Sequence, residues 1–210
     1  MFGIDDRIVF TFDEWRRLRV TAPAPLLPLA AWLCTDAQPN VAALDAFVGQ
    51  LQTAARAPDP RLRMVQGNGG VVAFEPGGVR LDSLYDRWET LFLPADLFWP
   101  VLTGLRQFLV GTAREPGLGR PAGYPTIERA ATWLELAGGA GAVLVNRTSF
   151  PREWSGNEVV EAGQGAWQSA ELIADETTGA WSGLWRGMEI AGYYDTVSNQ
   201  PLVYFPVISP

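Results

Sequence analysis

Apolar residues recur at helical spacing in some segments of this chain and alternate with polar ones in others. Val41, Leu44, Phe47, Val48 and Leu51 fall on one stripe, the spacing of an amphipathic helix. They predict a helix over 41–56, capped by Asn40 and stopped by Ala57-Pro58-Asp59-Pro60. A wider stripe of Leu97, Phe98, Val101, Leu102, Leu105, Phe108 and Leu109 predicts a helix over 97–110. Pro94 suits its first turn, and Pro100 is expected to kink it or delay its regular part. Thr11-Phe12-Asp13-Glu14 matches a capping box, with Phe10 and Trp15 at the staple positions; this predicts a short helix over 12–19. Pro125-Thr126 before Ile127–Ala137, and Gly138-Gly139 after it, predict one more.

From 63 to 93 the period shortens to two. Candidate strands are Arg63–Gln66, Val71–Glu75, Val79–Ser83 and Arg87–Leu93, joined by short turns rich in Gly, Pro and Asn. Such spacing reads as an antiparallel β-meander. Val79 and Leu81 alternate with Arg80 and Asp82, so one sheet face is buried and the other wet. The helix over 97–110 is expected to cover the buried face, with Leu81, Leu105 and Phe108 in the core. Further strands are predicted at Ala142–Asn146, Ala166–Ile173, Met188–Asp195 and Leu202–Val207, with Asp195–Pro201 a polar hairpin loop. Strands grouped with strands indicate an α+β fold: a meander packed by an amphipathic helix, then a β-rich, Trp-rich half with one helix. Ala113–Gly123, rich in Gly and Pro, is the linker candidate between a half at 1–113 and one at 124–210, which can share one core.

Composition removes much chemistry. All 16 basic residues are Arg, His is absent, and Cys34 is the single cysteine. A Ser-His-Asp or Cys-His site, a Walker lysine and a Schiff-base lysine are therefore excluded within this chain. A zinc site would have to be made from one Cys and carboxylates, against the usual ligand sets, so neither metal nor cofactor is expected. Cys34 follows Ala30-Ala31-Trp32-Leu33 and reads as a buried, inert thiol. The net charge of -7 disfavours nucleic acid and favours basic protein partners. The longest apolar stretch, Leu26–Cys34, contains Pro28 and is too short for a bilayer. The opening Met-Phe-Gly-Ile-Asp-Asp is acidic where a signal peptide is basic, so a cytoplasmic location is expected.

Two groups of acids could in principle form a carboxylate pair for glycoside hydrolysis. They are Asp82, Asp86 and Glu89 around the last meander turn, and Glu171, Asp175 and Glu176. Both sit in or beside polar turns, where solvated surface acids are the ordinary reading. Nine Trp are present, four of them among the last sixty residues. Trp and Tyr anchor protein interfaces and also pack cores. Trp181-Ser182-Gly183-Leu184-Trp185 is the segment expected to be exposed, because two Trp stand among small residues after a polar turn.

The run Val79-Arg80-Leu81-Asp82-Ser83-Leu84-Tyr85-Asp86, then Leu91-Phe92-Leu93-Pro94, then Leu105-Arg106-Gln107-Phe108-Leu109, resembles some bacterial toxin-immunity proteins at the level of architecture. The resemblance covers residues 70–110 and carries no catalytic signature. It implies an acidic, cytoplasmic, cofactor-free and non-enzymatic protein that binds a protein partner, a basic toxin domain among the candidates, with no nucleic acid and no membrane. On that basis Asp82, Tyr85, Asp86, Glu89, Trp181 and Trp185 are the candidate partner-binding residues, and no catalytic residue is assigned. Two alternatives stay open: a carboxylate-based hydrolase or sugar-binding module, and a structural component of a phage or secretion particle.

Overall fold

The computed structural model describes residues 8–112, 125–136, 139–173 and 176–208, with side chains outside 129–136 and 139–143. The chain opens with a hairpin of β1 (Val9–Phe12) and β2 (Leu18–Thr21). No helix forms over 12–19. The Asp13 carboxylate instead accepts from the Trp15 and Arg17 amides at 3.0 and 2.9 Å, and Arg16 takes a left-handed φ of 65°. An Asp that bonds its own following amides offers the backbone a turn in place of a helix.

Helix α1 (Leu27–Thr35) follows a short 3-10 turn and was not anticipated. Pro28 stands at its start, where a missing N–H costs nothing. Every residue from Leu29 to Thr35 is buried, so α1 is a central helix that is apolar all round and lacks the one-sided stripe of a surface helix. Helix α2 (Val41–Ala55) forms as expected, with the Asn40 side chain accepting from the Ala43 amide at 3.1 Å.

The meander is present: β3 (Met64–Gln66), β4 (Gly70–Glu75), β5 (Gly78–Ser83) and β6 (Leu91–Leu93) pair in sequence, all antiparallel. Val72 lies opposite Val65 and Leu81, and Leu81 opposite Leu91, so these apolar positions share one face. Helix α3 (Ala95–Thr112) runs continuously past Pro100 and packs against α2 and β5. Leu105 and Leu81 are fully buried, whereas Phe108 is half-buried and packs at a tilt against Phe10 and Phe12 of the hairpin.

The segment predicted as a helix over 127–137 is instead strand β7 (Thr126–Leu136), paired along its whole length with β8 (Gly139–Ser149). Its sequence fits either period, and the ladder with β8 decides. Strand β8 also pairs in parallel with β3, Leu144 beside Val65, giving a six-stranded sheet ordered β6-β5-β4-β3-β8-β7. The linker candidate 113–123 lies outside the described residues.

The helix of the second half is α4 (Gly156–Trp167), opened by a complete capping box between Ser155 and Glu158. It overlaps the start of the strand predicted at 166–173, which shrinks to β9 (Glu171–Leu172). Strands β10 (Ala180–Trp185), β11 (Met188–Asp195) and β12 (Gln200–Pro206) complete a four-stranded sheet ordered β12-β11-β10-β9. Small residues let α4 lie close to this sheet: a side chain at Gly183 would run into the Ala166 carbonyl. One hydrophobic cluster draws on residues from Ile8 to Val207, with Trp32 of α1 packed between Phe47 and Phe98 at its centre. A smaller one, around Trp181 and Ile190, lies under α4. The fold is α+β, and no helix among the described residues is long and apolar enough to cross a membrane.

Candidate functional site

The β5–β6 connection carries three of the six residues singled out from sequence, Tyr85, Asp86 and Glu89, and a fourth, Asp82, lies near the end of β5. The Ser83 hydroxyl accepts from the Tyr85 and Arg87 amides at 3.3 and 2.9 Å, and Asp86 takes a φ of 54°, which together reverse the chain. Asp82 is half-buried and its carboxylate is occupied, accepting from Arg80 Nε at 2.9 Å and Thr90 Oγ1 at 2.8 Å. Tyr85 turns inward with Trp88, both rings packing on Tyr193 at 6.0 and 5.6 Å between centroids. Burial raises the Tyr85 hydroxyl pKa, against a lowering pull from Arg147. Asp86 and Glu89 point outward and are exposed.

The two Trp do not join them. Trp181 is 0% exposed, set T-shaped on Trp167 at 5.1 Å. The expectation that it lies on the surface is corrected: its strand is covered by α4, so its ring completes a core. Trp185 is half-buried, edge-on to Trp154 at 5.4 Å, with the Arg186 guanidinium 4.2 Å over its ring. It ends the strand whose other end lies next to Arg87, about 17 Å away at ~3.3 Å per residue.

What the tertiary structure does bring beside the loop is a second set of acids. Arg87 donates from Nη2 to Thr196 Oγ1 at 3.5 Å and lies against Gly179, joining the 83–90 loop to the β10 approach and the β11–β12 turn. In that turn Asp195 accepts from the Val197 amide at 2.8 Å and Ser198 Oγ at 2.9 Å. These bonds, with a smaller pull from Arg87, hold its pKa below the usual carboxylate range. Val197 stands at the tip, 93% exposed. Exposed Glu176 opens the turn that ends at Gly179. Through Arg87, the loop that carries Asp86 and Glu89 is thus joined to the two turns that carry Glu176 and Asp195. The polar 195–201 loop is visible in the sequence; its proximity to Asp86 is not, because more than a hundred residues separate them.

Two buried polar clusters flank the end of α1. Asp36 is fully buried and accepts from Thr35 Oγ1 at 2.6 Å and from the Gly69 and Gly70 amides at 3.1 and 3.3 Å. Burial pushes its carboxyl up to about 6 despite those donors. The Tyr193 and Thr35 hydroxyls are 2.8 Å apart. Asn68 bonds the Thr35 carbonyl and the Thr148 amide, tying α1, the β3–β4 turn and β8 together. On the other side Arg17, 2% exposed, holds Asp13 at 2.7 Å, Glu171 at 2.6 Å and the Ser182 carbonyl at 3.1 Å. Arg19 reaches Asp13 and Glu171, each at 2.9 Å, and Ser182 Oγ at 3.2 Å. Glu189 is buried beside them, and that burial pushes it up to about 7, with Arg19 and Arg17 pulling the other way. Cys34 is buried, its thiol pushed up to about 12 for the same reason; a thiol so protonated is a poor nucleophile.

Of the acids considered for hydrolysis, Glu171 is spent on Arg17 and Arg19, Glu176 is exposed, and Asp175 lies outside the described residues. Among the described residues no group of three or more His, Cys, Asp or Glu is placed to hold a metal ion. Comparison with known proteins finds no matching family model, no matching curated protein and no matching solved structure.

Proposed function

We propose that this chain is a non-enzymatic, cytoplasmic binding protein of the immunity type, which neutralises a basic toxin domain by covering it. The observation that supports this best is an acidic edge: Arg87 joins the loop that carries exposed Asp86 and Glu89 to the turns that carry Asp195, exposed Glu176 and exposed Val197. Exposed acids steer a basic partner into place, and an exposed apolar residue on a neighbouring turn can slow its departure once the interface covers it. The net charge of -7 acts in the same sense at longer range. Hydrolysis has less behind it. Thr35 and Asp36 are fully buried, out of a substrate's reach, and Asp82 is occupied by Arg80 and Thr90. Sugar stacking loses Trp181 to the core.

The test is staged. The intact chain is used as bait in its host, and a single stoichiometric basic protein is the expected catch. Association and dissociation are then measured at two salt concentrations. Neutralising Asp86→Asn, Glu89→Gln and Glu176→Gln together slows association, more so at low salt, because the Debye length is ~8 Å at physiological ionic strength. Val197→Asp instead speeds dissociation. Capture of glycan or of a large particle, or rates that none of these substitutions changes, would sink the proposal.

A further inference from the structure

The β3–β4 turn reads Gly67-Asn68-Gly69 and holds the chain's one Asn-Gly pair. An Asn followed by Gly is open to attack by the next backbone nitrogen, because the glycine has no Cβ to block the approach. The fold requires this pair. A side chain at residue 69 would run into the Tyr193 ring, and one at residue 67 into the Asp36 carboxylate. Position 68 needs a group that both donates and accepts. Asn68 is 5% exposed. Its Nδ2 donates to the Thr35 carbonyl at 3.0 Å and to Thr148 Oγ1 at 3.1 Å, and its Oδ1 accepts from the Thr148 amide at 2.9 Å. An amide meets both demands and a carboxylate does not.

The same contacts keep the pair unreactive. Ring closure requires Gly69 N to lose its proton and to meet Asn68 Cγ. In the folded chain the Gly69 N–H donates to Asp36 Oδ1 at 3.1 Å. Once ionised, that carboxylate disfavours a second negative charge on the nitrogen beside it. The Asn68 carboxamide is meanwhile pinned through both of its polar atoms by Thr35 and Thr148. When the turn parts from α1 and β8, both constraints are lost together.

We propose that Asn68–Gly69 is a latent modification site, latched by Asp36, Thr35 and Thr148, whose reaction makes opening of this turn irreversible. In the open turn Gly69 N attacks Asn68 Cγ. The N–Cγ bond forms, the Cγ–Nδ2 bond breaks, the Gly69 N–H proton leaves with the side-chain nitrogen as ammonia, and a succinimide ring remains. Water then opens the ring to Asp or isoaspartate. Neither product fits the folded position. Asp sets a second carboxylate beside buried Asp36 and has no N–H for the Thr35 carbonyl. Isoaspartate lengthens the main chain by a methylene inside a turn that the Gly67 N–H closes on the Gly70 carbonyl at 2.9 Å. The chain thus carries a timer on its own opened state, and its working life becomes a rate. This site is separate from the acidic edge, and either can hold without the other.

The intact chain is held at pH 8, folded and in parallel in urea, and Asn68 is followed by mass spectrometry of the tryptic peptide 64–80, in which it is the sole Asn. Conversion to the acid is expected in urea, and at least about a hundredfold more slowly in the folded chain, because reaction through an open form scales with its population. The urea sample is then diluted, and refolded and misfolded chains are separated by size exclusion. The converted peptide should be found in the misfolded fraction and be depleted from the refolded one. Asp36→Asn should speed conversion in the folded chain by about tenfold, the worth of one hydrogen bond to a charged group. Ile190→Val, which trims the separate cluster under α4, should leave it unchanged. Should Asp36→Asn not fold, the two rates and the refolding fractions of the unsubstituted chain still decide. The proposal falls if Asn68 converts as fast folded as in urea, if converted chains refold as fully as unconverted ones, or if Ile190→Val speeds conversion as much as Asp36→Asn does.

Discussion

Asp36 and Glu189 are carboxyl groups held in the core without full compensation. Asp36 ends α1, where the helix dipole also disfavours negative charge, and its neighbours Thr35, Tyr193 and Tyr85 bring no cation. Glu189 faces Arg17 and Arg19 but shares them with Asp13 and Glu171. Both have folded pKa values above their ordinary ones, about 6 against 3.8 and about 7 against 4.5. The unfolded chain therefore releases these protons at lower pH than the folded chain does, and stability falls as pH rises through this window. A shift of this size is worth at most about 3 kcal/mol per group. Urea melts should accordingly give a lower midpoint at pH 8 than at pH 5. Glu189→Gln should flatten the upper part of that dependence, and Asp36→Asn the lower part while costing some stability at pH 5, because the amide cannot accept every bond that the carboxylate does. A midpoint that rises between pH 5 and pH 8 would contradict both assignments.

At the scale of elements, the β1–β2 hairpin separates two expectations for the same residue. In a helix over 12–19, Asp13 would merely sit well at a positive end, worth a few tenths of a kcal/mol up to about 1. In the hairpin it accepts from two backbone amides and holds Arg17 and Arg19, and its removal leaves a guanidinium 2% exposed short of a partner. Breaking a buried pair from one side costs roughly 3 kcal/mol or more. Asp13→Ala is therefore expected to destabilise by about that amount in denaturant melts, and a loss below about 1 kcal/mol would favour the helix.

The whole molecule is joined by a short parallel contact. Strand β8 sits between β3 and β7, so residues before and after the Gly- and Pro-rich 113–123 segment share one sheet. The main cluster crosses the same line, with Tyr193 and Phe205 packed against Tyr85, Trp88 and the α1 face. A chain built this way should unfold as a unit. Tryptophan fluorescence and far-UV circular dichroism should trace one coincident transition in urea. Two separated midpoints, with the sheet under α4 melting on its own, would show that the second cluster is an independent core.

Helix α2, helix α3 and the meander were legible from residues 41 to 110 because each carries a single unambiguous period with its own cap or turn: Asn40 before α2, Pro94 before α3, and Pro76-Gly77 between β4 and β5. The chemical exclusions were legible too, since absent His and Lys stay absent in any fold. Local pattern was silent or misleading where two structures satisfied it. Thr11–Glu14 fits a capping box or a hairpin turn, and Ile127–Leu136 fits a helix or a strand; the Arg17 partners decided the first and pairing with β8 the second. The candidate site divided in the same way. Asp86 and Glu89 were found as exposed acids from their turn, but the burial of Trp181 under α4, and the gathering of Glu176 and Asp195 beside Arg87, came from contacts between segments far apart in the chain. Periodicity reports which face of a segment is apolar. Which neighbour covers that face, and which distant loops share an edge, is settled only when the segments pack.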